Sequence, residues 1–133
     1  MKIQSTLYVM LALVLTKPAL ANEKNTIGEN TYNQVCAACH GAGPVKAPKL
    51  GDKKAWKSLI AEGQAVLTAH GYLGVRAMPP KGGKEDLSVE QFAEAVNYMV
   101  NKSGGNWSSP DKNMLEKINK EIIKETAARK KTK

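Results

Sequence analysis

Several segments of this chain carry apolar residues at helical spacing. The first helix is predicted to begin at the capping box of Thr26 and Glu29 and to end at Gly41. Its apolar face repeats at i, i+3, i+4 and i+7 and consists of Tyr32, Val35, Cys36 and Cys39. Both cysteines are therefore expected to point inward with the apolar side chains.

A loop at residues 41–51 separates this helix from two short ones. The earlier short helix begins after Asp52, a suitable cap, and ends near Gly63, and the later one ends before Gly71. Residues 71–84 contain several glycines and two adjacent prolines, so they are predicted to form a loop. The apolar residues of the two short helices are Trp56, Leu59, Ile60, Val66 and Leu67.

The longest regular helix is predicted to open at a second capping box, Ser88 with Gln91, and to end at residues 103–105. Its core face consists of Phe92, Ala95, Val96, Met99 and Val100. No segment alternates convincingly between apolar and polar residues at period two. The chain is therefore predicted to be all-α, with essentially no sheet.

The two ends of the chain differ from this central domain at residues 22–105. Residues 1–21 have a basic start, an apolar run of nine residues and a small-x-small cleavage pattern, which predict a secretory signal peptide and a periplasmic protein. Residues 106–133 predict an amphipathic basic helix that ends in a disordered segment at 128–133. This tail could pack on the domain, dock onto a partner protein or lie on an anionic membrane surface.

The sequence Cys36-Ala-Ala-Cys39-His40 is the most informative part of the domain. Two thiols at this spacing can form thioether bonds to the two vinyl groups of one haem, and the adjacent histidine can bind the iron. Met78 lies before a stiff Pro79-Pro80 pair, in the loop at 71–84, and can bind the opposite face. With both axial positions filled by protein, the iron would pass electrons and would not bind substrate.

Other interpretations of the same residues are open at this point. An exported cysteine pair ordinarily forms a disulfide, and Cys36 and Cys39 are the only cysteines. A zinc site would need two further ligands, and His70 is the only histidine besides His40. His70 could also replace Met78 as the second axial ligand.

These motifs together resemble a class I c-type cytochrome, of the short bacterial monohaem kind called cytochrome c-five. The resemblance covers roughly residues 27–102. It rests on several short motifs that follow one another in the order typical of the family: Gly28 and Tyr32 before CAACH, APKLGD at 47–52, Trp56 with Ile60, AMPPKGG at 77–83 and AVNYM at 95–99. It implies the cytochrome c fold, with three to five helices around one covalently bound haem. The group commonly has a second cysteine pair, which this chain lacks.

The resemblance also implies roles for single residues. The backbone carbonyl of Pro48 is expected to accept a hydrogen bond from the ring of His40, and Pro48, Leu50 and Trp56 are expected to belong to the haem pocket. Trp56 is expected either to fill the core or to donate its indole N–H to a haem propionate. Because the domain has few large apolar residues, the haem would complete the core, and the haem-free chain should fold poorly.

The positive charge of the chain indicates which kinds of molecule it could bind. The chain carries a formal charge of +8, and eight basic against four acidic residues lie in the last 31 positions. An exported protein would not normally meet nucleic acid, so acidic redox proteins or anionic lipid are the expected partners. The basic residues expected to border the haem edge are Lys46, Lys49, Lys53, Lys54, Lys57, Arg76, Lys81 and Lys84.

The predicted function is therefore electron transfer without catalysis. Three rivals are a thiol–disulfide oxidoreductase using the two cysteines, a haem protein with an open distal site for peroxide or gases, and a haem subunit of a larger dehydrogenase or oxidase. The first would need a βαβ framework, for which the sequence gives no sign.

Overall fold

The computed structural model describes residues 19–132, in which all regular elements are helical. The helices are α1 (Ala19–Thr31), α2 (Ala37–His40), α3 (Lys53–Ala61), α4 (Gln64–Leu73), α5 (Val89–Lys102) and α6 (Lys112–Lys131). A π-helical turn at Tyr32–Cys36 joins α1 directly to α2, and a 3-10 turn lies at Pro80–Gly83. The one β-bridge in the described part of the chain pairs Val75 with Met78. The all-α prediction is confirmed.

The predicted caps account for several helix boundaries. The Asp52 carboxylate accepts from the backbone N–H groups of Lys54 and Ala55 at 3.1 and 3.0 Å, so α3 begins where expected. Ser88 and Gln91 form the reciprocal capping box that opens α5. The helix before the loop ends at Gly41, as predicted.

Other boundaries were predicted wrongly. The first helix is not limited to the residues after Thr26: it already includes Ala19, the first described residue, because the alanine-containing segment upstream also favours helix. α4 continues through Gly71 to Leu73, and α6, with 20 residues, is longer than α5, with 14. The predicted signal peptide lies outside the described residues except for Ala19–Ala21, which begin α1.

The core lies where α1, the π-helical turn and α5 meet. The predicted core face of α5 is buried, with Phe92 only 1% exposed and Val100 fully buried. The rings of Tyr32 and Tyr98 lie 5.5 Å apart across the α1–α5 contact. Trp56 of α3 is 3% exposed and joins the same cluster.

Gly28 allows the backbones of α1 and α5 to approach closely. A Cβ placed on Gly28 would lie 2.5 Å from the backbone oxygen of Glu94 and 3.2 Å from Cβ of Tyr98. Backbone atoms cannot move aside as a flexible side chain can. The absence of a side chain at Gly28 is therefore required for this crossing.

Replacing Gly28 with alanine should reverse the usual effect of this substitution. In an ordinary helix interior the change stabilises by about 1 kcal/mol. Here the added methyl group would separate α1 from α5, and we expect a loss of roughly 1–3 kcal/mol in the free energy of unfolding. Denaturant unfolding of the purified protein measures the change, with Asn30→Ala at an exposed position of α1 as control. A Gly28→Ala protein more stable than wild type would contradict the packing argument.

The C-terminal helix packs against the domain. Asp111 caps α6 by accepting from the backbone N–H of Met114 at 2.8 Å, and Ile118 is fully buried. The main neighbour of α6 is α4. The disordered end predicted for residues 128–133 is wrong as far as Lys131, because α6 remains helical to that residue and Arg129 forms hydrogen bonds to the chain at the end of α4.

Candidate functional site

All but one of the predicted site residues surround one cavity of about 230 Å³, bounded by α2, α3, α4, α5 and the Met78 loop. Most of its lining is apolar, and it includes Val35, Leu59, Leu67, Phe92 and Val96. The predicted site residues that line it are Cys36, Cys39, His40, Pro48, Trp56 and Met78. Leu50 is absent from this lining and packs instead against the core cluster.

Both cysteines lie at the cavity as free thiols. Cys36 is buried and Cys39 is half-buried, as the helical spacing predicts. Burial, and secondarily the neighbouring Cys39, raises the pKa of Cys36 to about 11. A catalytic thiol of the disulfide-exchange type has a lowered pKa, so the environment of Cys36 argues against that rival.

The ring of His40 is oriented by the loop that follows α2. Its Nδ1 lies 2.8 Å from the carbonyl oxygen of Pro48, so the hydrogen bond implied by the resemblance is present. The backbone of the same loop is tied back, since the N–H of Leu50 donates to the carbonyl of His40 at 2.7 Å. A proton held on Nδ1 leaves Nε2 with a lone pair, as a metal-binding histidine requires.

Trp56 and Lys49 hold this loop in place from the side. The indole N–H of Trp56 donates to the carbonyl of Lys49 at 2.8 Å, and the Lys49 ammonium donates to the carbonyls of Cys39 and Val45 at 2.8 and 2.7 Å. The core role predicted for Trp56 is confirmed by its burial. Its role as a propionate donor stays a prediction; in this structure the N–H donates to a backbone carbonyl.

Met78 reaches the cavity from a short paired turn. The backbone N–H of Val75 donates to the carbonyl of Met78 at 3.1 Å, and the N–H of Met78 donates to the carbonyl of Val75 at 2.9 Å. Arg76, inside this turn, has a left-handed backbone with φ 53°, and Pro79 follows Met78 directly. The methionine backbone is therefore fixed on both sides.

Two further potential ligands line the same cavity. His70, with its side chain 30% exposed, has Nδ1 2.9 Å from a carboxylate oxygen of Glu62. Met99 is 3% exposed and belongs to the core face of α5. His70 is predicted from the sequence as a possible ligand, whereas Met99 is predicted only as a core residue, because helical spacing reveals a buried face without showing what that face borders.

Gly71, predicted from the sequence only as the end of a helix, lines the cavity. A Cβ on Gly71 would lie 3.0 Å from Cζ of Phe92 and 3.7 Å from Cε of Met78. The missing side chain lets Phe92 and Met78 approach α4. A glycine inside a helix, between His70 and Tyr72, was the available signal.

These residues fit a covalently bound haem. The site combines two thiols, an imidazole with an anchored Nδ1 and a thioether, around an otherwise largely apolar cavity. Among residues 19–132 there is no group of three or more His, Cys, Asp or Glu side chains arranged to hold a metal ion.

Known proteins that resemble this chain are cytochromes, in agreement with a haem site. Residues 23–99 match the family described as "Cytochrome C oxidase, cbb3-type, subunit III". The chain is similar to cytochrome c-555 of Chlorobaculum thiosulfatiphilum, with 46% identity over 57% of this chain and 93% of the relative. It is also similar to cytochrome c5 of Ectopseudomonas mendocina, with 44% identity over 48% of this chain and 76% of the relative.

A solved structure is similar in both fold and sequence. It is titled "Crystal structure of electron transfer complex of nitrite reductase with cytochrome c" and has a TM-score of 0.55 and 40% identity to this chain. The match covers 58% of this chain and 94% of the other. The family match ends at residue 99, within α5, so α6 lies beyond it.

Proposed function

We propose that this chain, which belongs to the small class I c-type cytochromes, carries single electrons between protein redox partners, with His40 and Met78 as the axial ligands of its one covalently bound haem. The observation that carries the proposal is the meeting of Cys36, Cys39, His40 and Met78 at one apolar cavity. A haem held there supplies a one-electron Fe(II)/Fe(III) couple.

The side chains of the chain would divide the work of holding this group. Cys36 and Cys39 would attach it covalently, and His40 would present Nε2 while Pro48 keeps the proton on Nδ1. Met78 would supply a thioether, which favours the reduced state and raises the reduction potential. The apolar lining excludes water, and no residue has to act as an acid, base or nucleophile.

The absorption spectrum of the purified, exported protein tests this proposal. Haem that survives acid-acetone extraction, sharp low-spin bands and a red charge-transfer band of methionine on ferric iron are expected. Covalent haem without the red band would remove Met78 from the ligand set, and open-site or bis-histidine chemistry would take its place. A haem-free protein, made where the attachment machinery is active, would refute the proposal.

A positive rim around the cavity supports docking of acidic redox partners. Lys46 and Arg76 line the cavity and are exposed. Not all basic residues of the predicted rim are available for docking, because Lys49 is bonded to two backbone carbonyls and Lys84 pairs with Asp86 at 3.0 Å. The partner named for the similar solved structure is a nitrite reductase, a redox enzyme.

Reversing one rim charge should slow electron transfer to an acidic partner. We expect Lys46→Glu to lower the second-order rate constant at low salt by about threefold to tenfold, because complementary charge mainly accelerates encounter. The effect should fade as ionic strength increases. Stopped-flow mixing with an acidic redox protein measures the rate constant. Lys117→Glu, exposed on α6 and away from the cavity, is the control of equal charge; equal slowing by both variants would refute a docking site at the rim.

We place the protein in the periplasm, after removal of residues 1–21. The basic start, short apolar run and small-x-small pattern of that segment support export. Among residues 19–132 there is no helix with the length and apolar character needed to cross a membrane. Mass spectrometry of the purified protein, with an N-terminus at Asn22 expected, tests the cleavage position.

A second candidate function is that of a haem subunit in a larger oxidase. The description of the matched family, which names an oxidase subunit, favours it. Co-purification of a large partner from gently solubilised cells, lost when residues 106–133 are removed, would support this alternative over a freely diffusing carrier.

A further inference from the structure

Arg129, near the end of α6, contacts the chain just before the Met78 turn. Its Nη1 donates to the carbonyl oxygens of Leu73 and Gly74 at 3.0 and 2.9 Å, and the side chain is partly buried. These carbonyls lie at the C-terminal end of α4. The last carbonyls of a helix have no hydrogen-bond partner within the helix, and they form the negative end of the helix dipole. A guanidinium at this place is therefore doubly favourable.

The two carbonyls lead directly into the turn that carries Met78. Gly74 is followed by Val75, which exchanges two backbone hydrogen bonds with Met78. Gly74 also packs tightly there, since a Cβ on it would lie 2.9 Å from the carbonyl oxygen of Met78 and 2.8 Å from the nitrogen of Pro80. A shift of Gly74 would therefore displace the backbone of Met78.

The turn needs support from outside because one of its residues is strained. Arg76 has a φ of 53° in the left-handed region, where residues other than glycine are uncommon. Such a conformation costs on the order of 1 kcal/mol and persists only where neighbouring structure fixes it. An open cleft of about 520 Å³ is lined by residues 73–80 together with Arg129. The arginine and the turn therefore lie side by side along one cleft.

α6 can deliver this support because it is itself anchored. Ile118 is fully buried, and Arg129 follows it by about 16 Å along the same helix. Arg129 therefore belongs to a helix that is anchored in the domain at a second point, Ile118. The residues of α6 lie beyond the matched family segment, which ends at residue 99.

We infer that Arg129 is a positioning residue: it fixes the Met78 turn to α6, so the C-terminal helix determines how firmly the axial methionine is held. This inference rests on the proposed ligation by Met78. It also gives residues 112–131 a role within the cytochrome itself, in addition to any contact with partners.

The test compares two variants that lose the same charge from the same helix. Arg129→Met removes both hydrogen bonds and keeps an apolar stem, whereas Lys130→Met removes an exposed lysine that has no hydrogen bond to α4 among the described residues. The oxidised, haem-containing protein is mixed with cyanide, and loss of the red methionine band is followed at pH 7. Because cyanide displaces the methionine, the rate constant reports how often Met78 leaves the iron.

We expect cyanide to react with Arg129→Met about tenfold faster than with wild type, since both lost hydrogen bonds come from one nitrogen, Nη1, and we count them together as one hydrogen bond from a charged group. Lys130→Met should stay within about twofold of wild type. Arg129→Lys keeps the charge without the planar fork of donors and should react about threefold faster. If Arg129→Met does not accumulate as holoprotein, Arg129→Lys decides the question.

The outcomes separate this inference from the proposed function. A wild-type protein without the red band would overturn both. A red band in wild type, with equal cyanide rates for Arg129→Met and Lys130→Met, would overturn the inference alone. A lower thermal midpoint for Arg129→Met with an unchanged cyanide rate would mean that Arg129 only stabilises α6, and it would overturn the inference as well.

Discussion

Replacing Cys36 and Cys39 together with alanine is expected to abolish covalent haem and leave the chain without most of its helical structure. Free cysteine packs as a small apolar residue, so alanine removes the two attachment points without burying a new polar group. The haem should then be lost on acid-acetone extraction, and the far-UV circular dichroism of the haem-free product should approach that of an unfolded chain. Both effects would be larger than those of any single core substitution.

The reason for expecting unfolding is the position of the cavity. Apolar side chains from the helix around Cys36 and from α3, α4 and α5 face this space, Phe92 and Val96 among them. Burying apolar surface stabilises the folded state by about 25 cal/mol per Å². Without haem, the apolar surface around the cavity is not buried and this stabilisation is lost. A domain of this size has a net stability of only about 5–15 kcal/mol, so an unfilled centre removes a large part of it. A group that binds only the folded state adds its binding free energy to folding.

The single variants are the controls for this experiment. Cys36→Ala and Cys39→Ala each keep one thiol at the cavity, so each should retain haem through one thioether bond and remain helical. A double variant that keeps covalent haem would place the attachment elsewhere. A double variant that is haem-free but fully helical would contradict the prediction that haem completes the core.

Most of the fold could be predicted from the sequence because its signals are local. The caps at Asp52 and Ser88 and the apolar spacing of α5 depend on residues within one or two helical turns, and the structure has those elements where they were expected. The extent of α1 and α6 was harder to predict. Thr26 forms a plausible cap in sequence, yet the described residues upstream of it, from Ala19 on, are also helical, since a capping pattern does not prevent a helix from continuing through it.

The candidate site was predictable in its chemistry and less so in its contacts. CAACH and the position of Met78 are readable from sequence spacing alone. That Trp56 donates to the carbonyl of Lys49, and that Arg129 reaches Gly74, depends on how distant segments pack. Arg129 and Gly74 are 55 positions apart, and no periodic pattern connects residues across such a distance.

Replacing Met78 with leucine is expected to remove the red charge-transfer band while leaving the haem attached. Leucine has nearly the volume of methionine, so the change should cost less than about 1.5 kcal/mol in stability. Without the thioether the ferrous state loses its preferred ligand, and the reduction potential should fall by on the order of 0.1 V. Cyanide should then bind at low concentration. Spectroscopy and a redox titration measure these effects.

The cavity itself provides the matched controls, because two other potential ligands line it. Met99→Leu should keep both the band and the potential, since Met99 is 3% exposed on the core face of α5, a helix fixed by packing along its length. His70→Gln should also keep the band, because His70 faces Glu62 at 2.9 Å. Met78 differs from both in its setting: Gly71 leaves room beside its methyl group, and its backbone is paired with that of Val75.

That setting is what a weak ligand requires. A thioether does not hold the iron strongly, so the loop that carries it must limit its movement, and the pairing of Val75 with Met78 together with Pro79 does so. If Met99→Leu loses the band and Met78→Leu keeps it, the ligand comes from α5, and the Met78 turn would have only a structural role. If only Met78→Leu loses the red band, Met78 is the ligand that produces it. The strength of methionine binding can then be changed by substituting the residues that hold the Met78 turn in place.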